Sequence, residues 1–238
     1  MSTRKGRHPP VLLLALIALA LVARPSSAAS QGFQFRTEGA YAEFSFVDDT
    51  NGYVTDITVY AADDQLYRAT GDTGEPERIS KIDVTVTQYD PACLGDGGLK
   101  LDAQAGGGGG GSDCFYQSFE GSFSGKDATE GLPEDAFAVS MPGLDGAWLT
   151  WTLTLVGWGA DGELTQGEAI INLAWTPTGE VYPVRYNSLA HDPPFVATAH
   201  VNARQVDAVA TGTISFRGKT LDLTSSYAAI FDAQQINT

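Results

Sequence analysis

Basic residues, histidine, methionine and cysteine are all scarce in this chain. It carries 14 lysines and arginines against 29 acids, with three histidines, two methionines and two cysteines in 238 residues. The shortage of positive charge argues against nucleic acid and anionic membrane surfaces as partners, because an acidic surface repels phosphate. The shortage of histidine leaves little for zinc or general-base chemistry. His191 and His200 are nine residues apart and have no short-spaced companion ligand. There is no G-x-S-x-G turn for a nucleophilic serine and no D-x-D-x-D-G run for calcium. The glycine run at 106–111 has neither the lysine nor the following helix that a phosphate-cradling loop needs. No segment shows a convincing amphipathic-helix period, and no repeat of fixed length recurs.

The apolar runs are short too. The longest, residues 11–23, follows Arg4, Lys5 and Arg7 and precedes the small residues Ser26, Ser27, Ala28 and Ala29. This order is that of a secretory signal peptide, too short for a membrane span. The expected organisation is a signal peptide over 1–28, cleaved after Ala28 or Ala29, and one domain over 29–238. Removal takes Arg4, Lys5, Arg7 and Arg24 and no acid, leaving ten basic residues against 29 acidic, a net charge of −19. The expected location is outside the cell, where an even pair of cysteines reads as a disulfide. Cys93 and Cys114 enclose 20 residues, and closing that loop contributes about 3 kcal/mol in the chain-entropy account. The ring also holds the base of the glycine-rich loop at 106–111.

What the chain has in quantity is period-two alternation. In residues 147–157, Leu149, Trp151, Leu153 and Leu155 alternate with Thr150, Thr152 and Thr154. That pattern predicts a long strand with one buried face. Ile82, Val84 and Val86 alternate with Asp83, Thr85 and Thr87, and Ile171, Leu173 and Trp175 alternate with Asn172 and Ala174. Turn signals separate such runs every eight to twelve residues, Asn51-Gly52 being the clearest. Residues 62–78 are polar and read as a loop, with a short strand around Leu66-Tyr67. Phe195 to Val201 and Ala208 to Phe216 read as two strands, and Leu221 to Phe231 as one. Pro183 marks an edge strand or bulge. Eleven or twelve strands and no helix predict an all-β, single-domain antiparallel β-sandwich, with jelly-roll and immunoglobulin-like connections both open. A membrane barrel fits less well, because the second face of these strands is Thr, Asp and Ser.

Few residues stand out as chemistry. Trp148 and Trp158 fall on the polar face of the central strand, beside its threonines, where an exposed indole suits stacking on a sugar ring. His191-Asp192 sits against Pro193-Pro194 in an expected loop and is the other binding candidate. Asp48, Asp49 and Asn51 could lend oxygens to calcium from one turn. Paired acids for glycoside hydrolysis have no distinguishing pattern, and Glu120, Glu163 and Glu168 are the nearest to it.

The runs Ile82-Asp83-Val84-Thr85-Val86-Thr87-Gln88-Tyr89-Asp90 and Asn172-Leu173-Ala174-Trp175-Thr176-Pro177-Thr178-Gly179 resemble motifs of uncharacterised secreted bacterial all-β proteins. Asn187-Ser188 through His191, with Ala210-Thr211-Gly212-Thr213, is similar as well. The resemblance spans roughly residues 40–231. It implies an exported all-β protein and carries no activity; members have more histidines where this chain keeps His191. The expected function is a secreted, non-catalytic binding or surface-associated module that meets a glycan or a protein and needs no cofactor. The alternatives are an extracellular hydrolase acting on a polymer such as a polysaccharide, and a purely structural secreted protein.

Overall fold

A computed structural model describes residues 33–47, 52–68, 77–89, 94–95, 98–99, 115–126, 136–159, 163–192 and 195–237. The expected signal peptide, the glycine run, Cys93, Cys114, Asp48, Asp49 and Asn51 lie outside the described residues.

The described chain is all β. In order the strands are β1 (Phe33–Val47), β2 (Val54–Arg68), β3 (Glu77–Tyr89), β4 (Leu94–Gly95), β5 (Gly98–Leu99), β6 (Phe115–Lys126) and β7 (Phe137–Val139). They continue as β8 (Ala147–Trp158), β9 (Leu164–Pro177), β10 (Tyr182–Asp192), β11 (Phe195–Phe216), β12 (Lys219–Thr224) and β13 (Tyr227–Asn237). Strands β4 and β5 pair only with each other, and the other eleven form one antiparallel sheet. The antiparallel all-β reading therefore holds.

The hydrogen-bonded ladder returns to its start. From β11 it passes through β13, β1, β2, β3, β6, β8 and β9 and back to β11. A ring of eight strands leaves an interior that side chains can fill. They do: Phe44, Phe119, Phe137, Leu149, Leu155, Ile171, Trp175, Ile214 and Ile230 are all buried. On every wall the inward residues keep one parity, such as Ala40, Ala42 and Phe44 on β1 and Ala169, Ile171, Leu173 and Trp175 on β9. Trp175 also donates its indole N–H to the Tyr41 carbonyl at 2.9 Å, tying β9 to β1.

The walls meet unevenly. β1 and β2 pair over fifteen residues, whereas β6 and β8 pair only from Ser118–Trp158 to Glu120–Val156. Glycines make that short seam: a side chain at Gly157 would strike the Ser118 backbone, and one at Gly121 the Thr154 carbonyl.

Four boundaries differ from expectation. Residues 62–78 are not all loop, since β2 runs to Arg68 and β3 begins at Glu77. Two acids of that segment are satisfied across strands, Asp63 by Arg78 and Asp64 by Lys81. β11 is one strand of 22 residues, because Val206 is buried in the core between the two expected pieces. The last expected strand splits instead, between β12 and β13. There Ser225 donates its N–H to the Ala210 carbonyl, and Ser226 donates its own to the Glu43 carbonyl. His191 and Asp192 close β10, opposite Val196 and Phe195, rather than lying in a loop. Pro183 does sit on an edge, because among the described residues β10 pairs only with β11.

Candidate functional site

Among the described residues, the outward face of β8 and β9 carries five exposed large hydrophobics, Trp148, Val156, Trp158, Leu164 and Ile170. Trp148, Thr150, Thr152, Thr154, Val156 and Trp158 all point away from the core, opposite Ala174, Asn172, Ile170, Glu168, Gln166 and Leu164. Strand alternation forces this: with Leu149, Leu153 and Leu155 inside, the residues between them face water. Trp148 is 45% exposed and Trp158 60%, while Leu164 and Ile170 add apolar area at 61% and 43%. Trp148 lies across from Ala138 of β7, and Trp158 from Ser118 of β6. The indoles mark the two ends of the strand, about 33 Å apart at ~3.3 Å per residue. Between them runs the ladder of threonine hydroxyls, flanked by Asn172 and Gln166. Both sequence-proposed tryptophans are thus displayed together, on one face.

Two of the acids considered for glycoside hydrolysis flank the same strand. Glu120 on β6 lies opposite Val156, and Glu168 on β9 lies opposite Thr154, so β8 runs between them on the exposed surface. Glu163 precedes β9 and is likewise exposed. His200 is exposed, with Nδ1 2.9 Å from Asn187 Oδ1. The side chains of His191 and Asp192 lie outside the described residues. Among the described residues no group of three or more His, Cys, Asp or Glu is placed to hold a metal ion.

Two further clusters carried no sequence signal. The first caps one end of the interior. Register places Arg204, Asp232, Glu38, Asp63 and Ser80 in one inward row across β11, β13, β1, β2 and β3. The adjoining row, Val206, Ile230, Ala40, Ala61 and Ile82, is buried core. Asp232 accepts from Arg204 at 2.6 Å and from Arg36 at 3.4 Å, and Arg36 also pairs with Glu38 at 3.0 Å. Asp63 accepts from Arg78 at 2.6 Å and from the Ser80 hydroxyl at 2.5 Å. Burial pushes the Glu38 pKa above its ordinary value, the nearby Asp232 and Asp63 add to the rise, and Arg36 and Arg78 oppose it. These arginines keep partial access to water while their carboxylates are largely covered. The row terminates the apolar interior with paired charge.

The second cluster lies on the outer side of β10, β11, β13 and β1. It gathers Tyr182, Asp207, Tyr227, Glu43 and Tyr41. The Tyr182 hydroxyl donates to Asp207 at 3.0 Å, and the Tyr41 hydroxyl donates to Glu43 at 2.5 Å. Only the register brings these residues together, since they come from four strands separated by more than 180 positions.

No family model and no curated protein sequence matches the chain. Among solved structures, a protein assigned as AttH from Nitrosomonas europaea overlays with a TM-score of 0.32 at 10% identity. The overlay covers 86% of this chain and 51% of that one, so the chain spans about half the length of that structure.

Proposed function

We propose that the protein is an exported, non-catalytic binding module that takes a neutral extracellular glycan along the outward face of β8 and β9. The observation that carries this reading is the pair of exposed indoles, Trp148 and Trp158, at the two ends of one hydroxyl-lined strand. A sugar chain offers apolar ring faces to tryptophan and hydroxyls to threonine, asparagine and glutamine, and the face supplies both. An anchor of this kind concentrates affinity in few aromatic residues. A ladder about 33 Å long at ~3.3 Å per residue suits a chain that lies along the surface rather than one drawn into a cleft. Export is supported by the basic start, the apolar run at 11–23 and the small residues after it, and in that setting Cys93 and Cys114 would be joined.

The test is depletion from solution by insoluble cellulose, chitin and bacterial cell wall, with tryptophan fluorescence titrations against the matching soluble oligosaccharides. The wild-type chain is expected to bind at least one of them. Trp148→Ala and Trp158→Ala are each expected to weaken that binding about tenfold or more. Unchanged retention in the double variant, or no retention of the wild-type chain on any of the three, would overturn the reading.

A further inference from the structure

The tyrosine and carboxylate cluster on the other outer wall has the chemistry of a second site, independent of the tryptophan face. Tyr227 of β13 lies directly opposite Glu43 of β1. The next outward row is Asp207, Ala229 and Tyr41 across β11, β13 and β1. Ala229, which separates Asp207 from Tyr41 in this row, is only 4% exposed. The Tyr41 and Tyr227 rings lie 6.1 Å apart, tilted by 54°. Tyr182 reaches Asp207 from β10, and Gln205 donates its amide to the Tyr227 hydroxyl at 3.3 Å. Tyr182 and Tyr227 remain more than a third exposed, and Asp207 is exposed with them.

The cluster is held from behind. Thr178 donates its N–H to the Asp207 carbonyl at 2.8 Å, and Ser226 donates its own to the Glu43 carbonyl at 2.8 Å. Both anchors sit where the strand neighbours of β11 change, from β9 to β10 on one edge and from β12 to β13 on the other. Among the described residues, no lysine or arginine pairs with Asp207 or Glu43. Two carboxylates are therefore set among three electron-rich rings with no internal cation. Burial, then these carboxylates, raises the pKa of Tyr182 and of Tyr41, as expected where negative charge is left without a counter-charge.

The geometry points to an ammonium-binding site, with the exposed rings of Tyr182 and Tyr227 and the carboxylates of Asp207 and Glu43 receiving a primary or quaternary alkylammonium group, and the buried Tyr41 backing Tyr227 from beneath. Ring faces attract such a cation, and carboxylates add charge complementarity. Calcium is a poorer match, because it needs six to eight oxygen ligands and this surface is largely ring.

The test uses the full chain at fixed ionic strength. Tetramethylammonium, choline and methylammonium are titrated while tyrosine ring resonances and binding heat are followed, with sodium chloride as the control. Saturable binding is expected, weakened about tenfold by Asp207→Asn and by Tyr227→Leu and unaffected by Trp148→Ala. A preference for choline over methylammonium would assign recognition to the rings and to a trimethylammonium source; the reverse preference would assign it to the carboxylates and to a primary amine. Responses to all three salts no larger than to sodium, or the same affinity in Asp207→Asn, would overturn the site. Asp207→Asn keeps the shape of the side chain, so the test stands even if Tyr227→Leu fails to fold. Because the probes are small and soluble, failure here leaves the glycan reading untouched, and failure of that reading leaves this one.

Discussion

The wall of β8 and β9 and the wall of β13, β1 and β2 obey the same alternation but use their two faces differently. On β8 and β9 one face is core and the other is water: Leu149, Leu153 and Leu155 are buried while Thr150, Thr152 and Thr154 are exposed. On the opposite wall both faces hold covered groups. Ala40, Ala42 and Ile230 face the interior, while Tyr41, Tyr60, Ala229 and Phe231 are buried on the other side. Phe231 lies over Gly39, where a Cβ would collide with its ring, and stacks on Tyr60 at 6.2 Å and 13°. A strand with one wet face announces itself by composition. A strand with two occupied faces reads as a mixture of small, aromatic and charged residues, and only the register sorts it.

The residue that joins the two walls gives the sharpest break. Trp175 belongs to β9, is 2% exposed and donates to the carbonyl of Tyr41 on β1. Trp175→Ala removes a large buried ring and its bond together and is expected to cost about 3–5 kcal/mol, read as a fall in the urea midpoint with an unchanged slope. A cost below about 1 kcal/mol would mean that the interior collapses freely and that the walls are less interlocked than described.

Next in size is the charged row that ends the interior. Asp232 is 7% exposed and holds both Arg36 and Arg204. Asp232→Asn keeps the shape but leaves two arginines without their shared carboxylate. The expected cost is about 2–3 kcal/mol, below that of a fully buried pair because both guanidinium groups reach water. The corresponding Glu168→Gln on the exposed face is expected to change stability by less than about 0.5 kcal/mol.

This row also explains what was legible in the sequence. Ile82, Val84 and Val86 and the strand at 147–157 were readable because burial on one side alone produces alternation. Asp63 and Asp64 suggest a loop by sequence because acids in a strand are unfavourable unless paired, and their partners Arg78 and Lys81 sit on the next strand. The tyrosine cluster is further from view, since Glu43 and Tyr227 are neighbours only once β1 and β13 have paired. Trp148 and Trp158 were legible as residues of the outward face because parity alone assigns them. That β11 runs unbroken through Asn202 and Asp207 was not legible, because it depends on partners at both of its edges.

A smaller effect separates the walls by pH. Glu38 lies in the charged row with its pKa raised chiefly by burial. In the window just above the ordinary value of 4.5, the folded chain therefore keeps a proton that the unfolded chain has released. Stability must fall as pH rises through that window, because the native state binds more protons than the unfolded one. Glu38→Gln removes this contribution. Its stability curve should be flatter across the window than that of the wild-type chain, measured by urea unfolding at a series of mildly acidic pH values. A curve of identical slope would place the proton elsewhere.

The smallest expected effect is the most discriminating for function. Trp148 and Trp158 are the same residue type as Trp175, yet they stand on the water side of the same strand pair. Trp158→Ala removes a ring that is already 60% exposed, so stability should change by no more than about 0.5 kcal/mol. Trp148→Ala should cost slightly more, since 45% exposure leaves more of its ring against Ala138 and the neighbouring strand. A large exposed aromatic that contributes little to folding costs solubility, and the proposed glycan contact gives it a role. If either substitution lowered stability by several kcal/mol, the indole would be a packing element, and the β8–β9 face would lose its distinction from the wall across the interior.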